Sequence, residues 1–465
     1  MNKPGITSRW FSLVIVLTAP LLYVVDIFII NMALSDIQKG VHATNGEVQL
    51  VIAGYLLGSA SFLITGGRAG DYLGRKKVFF WAMFFFTLSS CLCGLSNTAA
   101  QLNVARFLQG VSSSFMVPQA IAFIQILFTD QKERAKAIGW YGITLSIAAI
   151  IGQISGGYLV NTHLAIQGWR LIFFINLPIG TLSLWAIWRF LEETERKTDQ
   201  KFDYSGALTL AAGLACLIIP LTQGREAGWP AWSISLLAMA AILIPFFIHD
   251  QKKKLSRNQY PLIDIRLFRI REFDIGLLAV LFHFMMHTAY LLMAAVYLQK
   301  GLHLNAMHCG FYFLLHAVLF MVASAMGSRL IIQYGKRVLQ VGLFIILISF
   351  SLQIFLLAPP LNAFLPIFLI GIYGLGNGLV LPSLLTTVLK SIDLKFAGTA
   401  AGTFSTFQQT ASALGISLIG GMFFYLIGQN PVHPDYFKAF DYGLMANITC
   451  LGIVAVMIYL LPQKL

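Results

Sequence analysis

Apolar runs of roughly 20 residues recur about fourteen times along this chain, and each is long enough to cross a bilayer as a helix. They fall near 10–34, 48–67, 78–97, 100–128, 137–160, 169–190, 204–222, 231–248, 273–298, 307–331, 338–358, 362–389, 397–427 and 439–461. In hydrocarbon, backbone N–H and C=O groups must be satisfied internally, and runs of this length do so as helices. Composition agrees. Of 465 residues, 57% are hydrophobic and 11% charged, where a soluble domain carries about 25% charged residues. The expected fold class is an all-α integral membrane protein.

The loops alternate in charge. Counted from the N-terminus, one set of loops holds about 26 Lys and Arg and the other about five. Arg106 alone among the Lys and Arg lies deep inside a span. The basic set includes "GRKK" (74–77), "DQKERAK" (130–136), "QKKKLSR" (251–257) and "YGKR" (334–337). Basic loops stay on the cytoplasmic side, so an even number of spans places both termini there. The net charge of +13, which in a soluble protein would point to nucleic acid, reads here as membrane topology, and no nucleic-acid partner is expected. Lys3 and Arg9 precede the first run. That run is longer than a signal-peptide core and has no small-x-small cleavage site before Asp26, so it is expected to be a retained helix. Cys91, Cys93, Cys216, Cys309 and Cys450 lie in or beside apolar runs. They lack the spacing of a disulfide framework or zinc site and read as small apolar residues.

The chain repeats itself weakly. "GGRAGDYLGRKKVFF" (66–80) and "GSRLIIQYGKRVLQ" (327–340) each join two spans by a short basic turn. Arg68 falls opposite Arg329, Gly74 opposite Gly335, and Asp71 opposite Ile332. Two similar helical halves are a transporter design. The division expected is 1–195 for an N-terminal bundle, 196–260 for two extra central spans with their loops, and 261–465 for a C-terminal bundle.

Within the first turn, Gly67, Gly70 and Gly74 permit a tight reversal and close helix approach. Asp71 can accept hydrogen bonds at the N-terminus of the third span, and Arg75, Lys76 and Lys77 face the inner headgroups. The plainer reading is a basic loop that only sets topology. The ordered spacing of Gly, Asp, Gly and basic residues argues against it. This pattern resembles the loop-2–3 signature of the major facilitator superfamily. "LNVARFLQGVSSS" (102–114) resembles its fourth-helix motif, with Arg106, Gln109 and Gly110 matching, and "GQISGGYL" (152–159) resembles its fifth-helix antiporter motif. "VVDIFIINMAL" (24–34), "GWRLIFFINLPIG" (168–180) and "PLIDIRLF" (261–268) are similar to the fourteen-helix drug:proton antiporter family. The resemblance covers nearly the whole chain. It implies two six-helix bundles plus two inserted central helices, alternating access, and export driven by inward proton flow with no cofactor. It also implies residence in a bacterial cytoplasmic membrane. The fifth-helix motif, Gly152, Gln153, Gly156 and Gly157, departs from the family in having Gln153 where proline is usual. Proline would kink the helix; glutamine restores the backbone hydrogen bond and adds an amide, while the glycines keep close packing. Ile332 leaves the second inner turn without its acid.

Asp26 sits in the middle of an apolar run, where a charge costs about 2.5–3.5 kcal/mol on insertion scales. At 1.5 Å rise per residue, Asp26 lies about 12 Å and Arg106 about 10 Å from the outer ends of their spans. Intramembrane ions normally face the interior and pair, so both are expected on one shared polar cavity. The pair could lock two helices together. Alternatively, Asp26 exchanges a proton for a cationic drug, with the nearby Arg106 lowering the carboxylate's proton affinity. In the second half the titratable candidates are His283 and His316 near the midplane, with His287 one turn from His283. They read as structural histidines, as a proton or substrate site, or as a metal site, for which ligands are too few. Amides in the spans, among them Gln119, Gln125, Gln353, Asn377, Gln408 and Gln409, include groups that must line a cavity, since lipid-facing amides are unfavourable. "GIYGLGNGL" (371–379) favours close helix contact, and 37 Phe would suit flat aromatic cargo.

The function that follows is proton-coupled export of amphipathic toxic compounds, cationic or aromatic. An exporter of one metabolite, such as an amino acid, sugar or siderophore, is the alternative. The chain has no GxxxxGK[ST] phosphate loop, no long soluble domain for a receptor and no catalytic cluster for an enzyme. The partners implied are a small molecule, protons and lipid. A periplasmic adaptor and outer-membrane channel are compatible with the sequence, and no residue demands them.

Overall fold

The structure is a computed structural model and describes residues 6–162, 166–193, 203–224, 227–257, 259, 261–357, 364–390, 392, 397–428 and 435–461. Among them, 14 helices are long and apolar enough to cross a membrane: α1 (Arg9–Gly40), α2 (Asn45–Gly70), α3 (Arg75–Leu95), α4 (Ala99–Leu127), α5 (Lys132–Val160), α6 (Gly168–Phe190), α7 (Tyr204–Gly224), α8 (Ala231–Ser256), α9 (Arg271–Gly301), α10 (Ala306–Gly327), α11 (Arg337–Leu356), α12 (Phe364–Leu389), α13 (Ala400–Gly428) and α14 (Tyr436–Leu460). The all-helical membrane fold expected from the apolar runs is present. Side-chain caps open several of the spans. Thr44 forms a capping box with Glu47 before α2, and Asp130 accepts from the N–H groups of Lys132 and Glu133 before α5. Each satisfies backbone donors that a helix start leaves without a partner.

The packing repeats. In the first half α2 runs along α4, α1 along α5, and α3 along α4 and α6; in the second, α10 runs along α12, α9 along α13, and α11 along α12 and α14. Glycine lets two of these seams close tightly. A Cβ on Gly110 would stand 2.8 Å from the carbonyl carbon of Tyr55, and one on Gly374 2.8 Å from Cα of His316. Helices in lipid gain by such approach, because dispersion contacts replace the hydrophobic drive that water would supply. The second case lies within the glycine-rich stretch 371–379. The halves meet along α2 with α13 and α5 with α10, while α7 and α8 pack on each other and α7 leans on α2.

The two basic turns also correspond. Gly74 has φ +94° and Gly335 φ +57°, a region open to glycine because it lacks Cβ. Lys76 Nζ donates to the carbonyl of Trp188 at 3.0 Å. Lys336 Nζ donates to the carbonyls of Tyr459 and Leu461 at 3.1 and 2.6 Å. Each lysine thus ties the start of its half's third helix to the end of its sixth. The side chains of Asp71, Arg329 and Ile332 lie outside the described residues.

Candidate functional site

Asp26 is fully buried on α1, beside α4 and α6. From α4, Arg106 Nη1 donates to Asp26 Oδ2 at 2.5 Å, and Gln109 Nε2 donates to Oδ1 at 2.8 Å. Their i,i+3 spacing puts both on one helix face, and Arg106 Nη1 also reaches Gln109 Oε1 at 2.8 Å. From α6, Asn176 Nδ2 donates to Oδ1 at 3.3 Å and to Ser90 Oγ at 2.9 Å. The guanidinium is held from behind by Nε donating to the carbonyl of Val51 at 2.9 Å, and it stacks 4.4 Å over the Tyr55 ring. A carboxylate taking three hydrogen bonds, one of them from a cation, is the arrangement that makes a buried acid tolerable.

Asn176 escaped the sequence reading. It follows a break in α6 at Ile175, where the helix stops and restarts. Pro178 explains the break, since it has no N–H for the carbonyl of Phe174 and its ring crowds that turn. An Asn-Leu-Pro step inside an apolar span was the available signal.

Between the halves lies a cavity of about 230 Å³, lined from α1, α2, α4 and α5 on one side and from α9, α10, α12 and α13 on the other. Arg106 is part of its wall, whereas Asp26 is not. The expectation that both face one cavity therefore needs correcting: the two are directly paired, and the carboxylate sits one layer behind the wall. The cause is the inward pull of Gln109 and Asn176, which hold its other oxygen away from the opening. Tyr23, half-buried on the wall, is hydrogen bonded to Gln409 from the opposite half.

The histidines of the second half cluster. His283 Nε2 lies 2.9 Å from Asn377 Oδ1, and Asn377 Nδ2 lies 3.2 Å from His287 Nδ1. His287 Nδ1 also lies 2.7 Å from the Tyr373 hydroxyl. His316 stacks on Tyr373 with ring centroids 5.6 Å apart and planes at 11°. His283 and His316 were singled out by depth, yet His283 turns inward and His287 reaches the cavity with His316. Among the described residues no group of three or more His, Cys, Asp or Glu could hold a metal ion.

Residues 16–416 match the sequence profile of the Major Facilitator Superfamily. The chain belongs to that superfamily. A probable actinorhodin transporter of Streptomyces coelicolor is 32% identical over 432 residues, 92% of this chain and 74% of that one. The multidrug resistance protein Stp of Mycobacterium tuberculosis is 28% identical, covering 85% and 72%. The putative multidrug resistance protein MdtD of Salmonella heidelberg is 28% identical, covering 96% and 93%. Among solved structures, an inward-facing bacterial homolog of the human lysosomal transporter Spinster superposes with TM-score 0.70 at 15% identity, covering 99% and 96%. The Escherichia coli xylose transporter XylE gives 0.64 at 14%, covering 96% and 95%. The chain is a multi-pass major facilitator transporter, not an enzyme.

The superfamily's turn motif occupies the α2–α3 reversal. Glu193, at the end of α6, accepts from the N–H groups of Lys76 and Lys77 at 3.0 and 3.2 Å. It caps α3 beside Gly74, where a Cβ would stand 2.7 Å from the carboxyl carbon. Gly70 is tighter still, pressed against the Gln119 amide, whereas Gly67 has only ordinary contact, 3.7 Å from Pro118. The side chain of Asp71 lies outside the described residues. In the fifth-helix motif, Gly152 and Gly156 face α1, each with a would-be Cβ 2.8 Å from a carbonyl oxygen, of Val25 and Ile29 respectively. Gly157 faces α10, 2.8 Å from Cα of Met307. Gln153 lines the cavity, and its carbonyl oxygen stands 2.8 Å from a Cβ placed on Gly310.

Proposed function

We propose that this chain is a proton-driven exporter of amphipathic toxic compounds that works by alternating access. The observation that carries the reading is the buried Asp26–Arg106 pair, 2.5 Å apart, with the guanidinium on the wall of a cavity that both halves share and the carboxylate directly behind it. Relatives whose names refer to multidrug resistance or to an antibiotic's transport favour efflux. Protonation of Asp26 removes the negative partner of Arg106, weakens the α1–α4 tie, and frees the guanidinium to respond to cargo. Return of the ion pair expels the proton. An inward-moving proton gains about 2.3 kcal/mol per 100 mV of membrane potential, so no nucleotide is needed.

The basic loops set the termini and the α2–α3 turn on the cytoplasmic side of a bacterial inner membrane. Residues 1–195 and 261–465 act as the two moving bundles, and 196–260 contributes the added central pair. Purified protein in liposomes, with an imposed pH gradient and a panel of neutral, anionic and cationic dyes, tests the reading. Gradient-dependent uptake or release that vanishes in Asp26→Asn supports it. Efflux unchanged in that variant refutes it.

A further inference from the structure

The cavity's chemistry narrows the cargo. Among the described residues no Asp or Glu lines it, and the one full charge on its wall is the Arg106 guanidinium. The carboxylate that balances this charge lies behind it, already filled by donors from Arg106, Gln109 and Asn176. Five polar atoms of the wall residues find no partner within the protein: Oη of Tyr55, Nη2 of Arg106, Oε1 of Gln153, and both ring nitrogens of His316. His316 is only 3% exposed. A buried polar group left unmatched costs about 1–3 kcal/mol, so these atoms mark where a ligand's own polar groups would be matched. Asn377 and His287, braced against each other at 3.2 Å, hold fixed positions beside them. Phe28, Phe284 and Phe320 supply flat apolar surface in the same space.

We propose that this cavity is a binding site for planar aromatic compounds bearing hydroxyl and carbonyl or carboxylate oxygens, of the hydroxyquinone or phenolic-acid class, in preference to organic cations. Arg106 donates to an oxygen acceptor at one end. Gln153 accepts from a hydroxyl. His316, which as a neutral ring carries one donor and one acceptor, serves either kind of group at the other end. A permanent cation finds no anion on the wall and meets a guanidinium instead, and burial of an unpaired charge is strongly unfavourable. Only cation–π contact would hold it.

The inference rests on the export reading for its biological sense but is tested without transport. The full-length chain in lipid nanodiscs is titrated with rhein, a dihydroxyanthraquinone carboxylate, and with ethidium, a planar cation, following tryptophan fluorescence at constant pH. Rhein is expected to bind at least 10-fold more tightly than ethidium. His316→Phe keeps a ring to stack on Tyr373 and removes both nitrogens. It is expected to weaken rhein about 10-fold, or about 1.4 kcal/mol, and to leave ethidium unchanged. Ethidium binding as tight as rhein, or rhein binding indifferent to His316→Phe, overturns the proposal. Should the variant fail to fold, the wild-type ratio decides alone. Rhein binding without pH-driven efflux would remove the export reading and leave this one standing; pH-driven ethidium efflux without rhein binding would do the reverse.

Discussion

Replacing Asp26 by Asn, alone and together with Arg106→Gln, separates a structural lock from a proton site. The charge centres of the pair, about 4 Å apart, attract by about 4 kcal/mol at an effective dielectric of about 20. Leaving one member of a buried pair alone costs about 3–5 kcal/mol. Asp26→Asn keeps an oxygen for Gln109 and Asn176 but strands the guanidinium without its counter-ion, leaving it the Val51 carbonyl, Gln109 Oε1 and the Tyr55 and Phe173 rings. Arg106→Gln strands the carboxylate in the same way. The double variant holds two neutral amides and no charge, so most of the lost stability should return, as a coupling energy of about 1–3 kcal/mol. Apparent melting midpoints of detergent-purified protein give the order: wild type highest, the double variant next, the two single variants lowest. Proton-driven efflux in liposomes is measured on the same four preparations. All three variants should be inactive, including the one whose fold is restored. Gradient-driven efflux by the double variant would show that the pair only fastens two helices, and an unaltered melting point in Asp26→Asn would show that the ion pair is not what holds them.

Other outcomes follow from the packing and the loop chemistry. Gly152→Val places carbon against the carbonyl oxygen of Val25, 2.8 Å from the Cβ position; efflux should fall more than about 10-fold, a barrier change near 1.4 kcal/mol. Gly139→Ala on the same helix, with nothing within 4 Å, should be silent in the same assay. Glu193→Ala removes the acceptor for the Lys76 and Lys77 N–H groups and should cost about 0.5–2 kcal/mol, as loss of a helix cap does, read as a lower melting midpoint. Asp203 lies outside the spans. Burial pushes its carboxyl up, but hydrogen bonds from Lys254, Gln251 and the Gly206 N–H outweigh this and hold it below its ordinary 3.8. Its stabilising effect is therefore present above that value and is lost as pH falls through the lower folded value. The melting gap between wild type and Asp203→Asn should narrow in acid, and a gap that widens there contradicts the assignment.

The number of spans and the depth match of Asp26 and Arg106 were legible because both follow from length and 1.5 Å rise alone. What a helix presents sideways was not. Whether Asp26 faces the opening or turns from it depends on Gln109 and on Asn176, whose helix is broken at Ile175. No periodicity records that break. Depth alone likewise favoured His283 over His287; the two share a face and both reach Asn377, but it is His287 that borders the cavity. The wide turns of π-helix at Pro220–Gly224, Tyr297–Gly301 and Ile416–Gly420 left no mark in the apolar pattern, since a single wider turn shifts the face without changing composition. The capping of α3 by Glu193, some hundred residues downstream, is tertiary and was beyond any local motif.

Along α5, three glycines leave main chain resting directly on main chain, toward Val25 and Ile29 of α1 on one flank and Met307 of α10 on the other. A side chain at such a seam could absorb a shift by changing rotamer, and glycine has none to change. In the alternating-access cycle proposed above, sliding of one bundle past the other would therefore be transmitted as bodily displacement of the backbone, and would arrive at the residue adjoining Asp26.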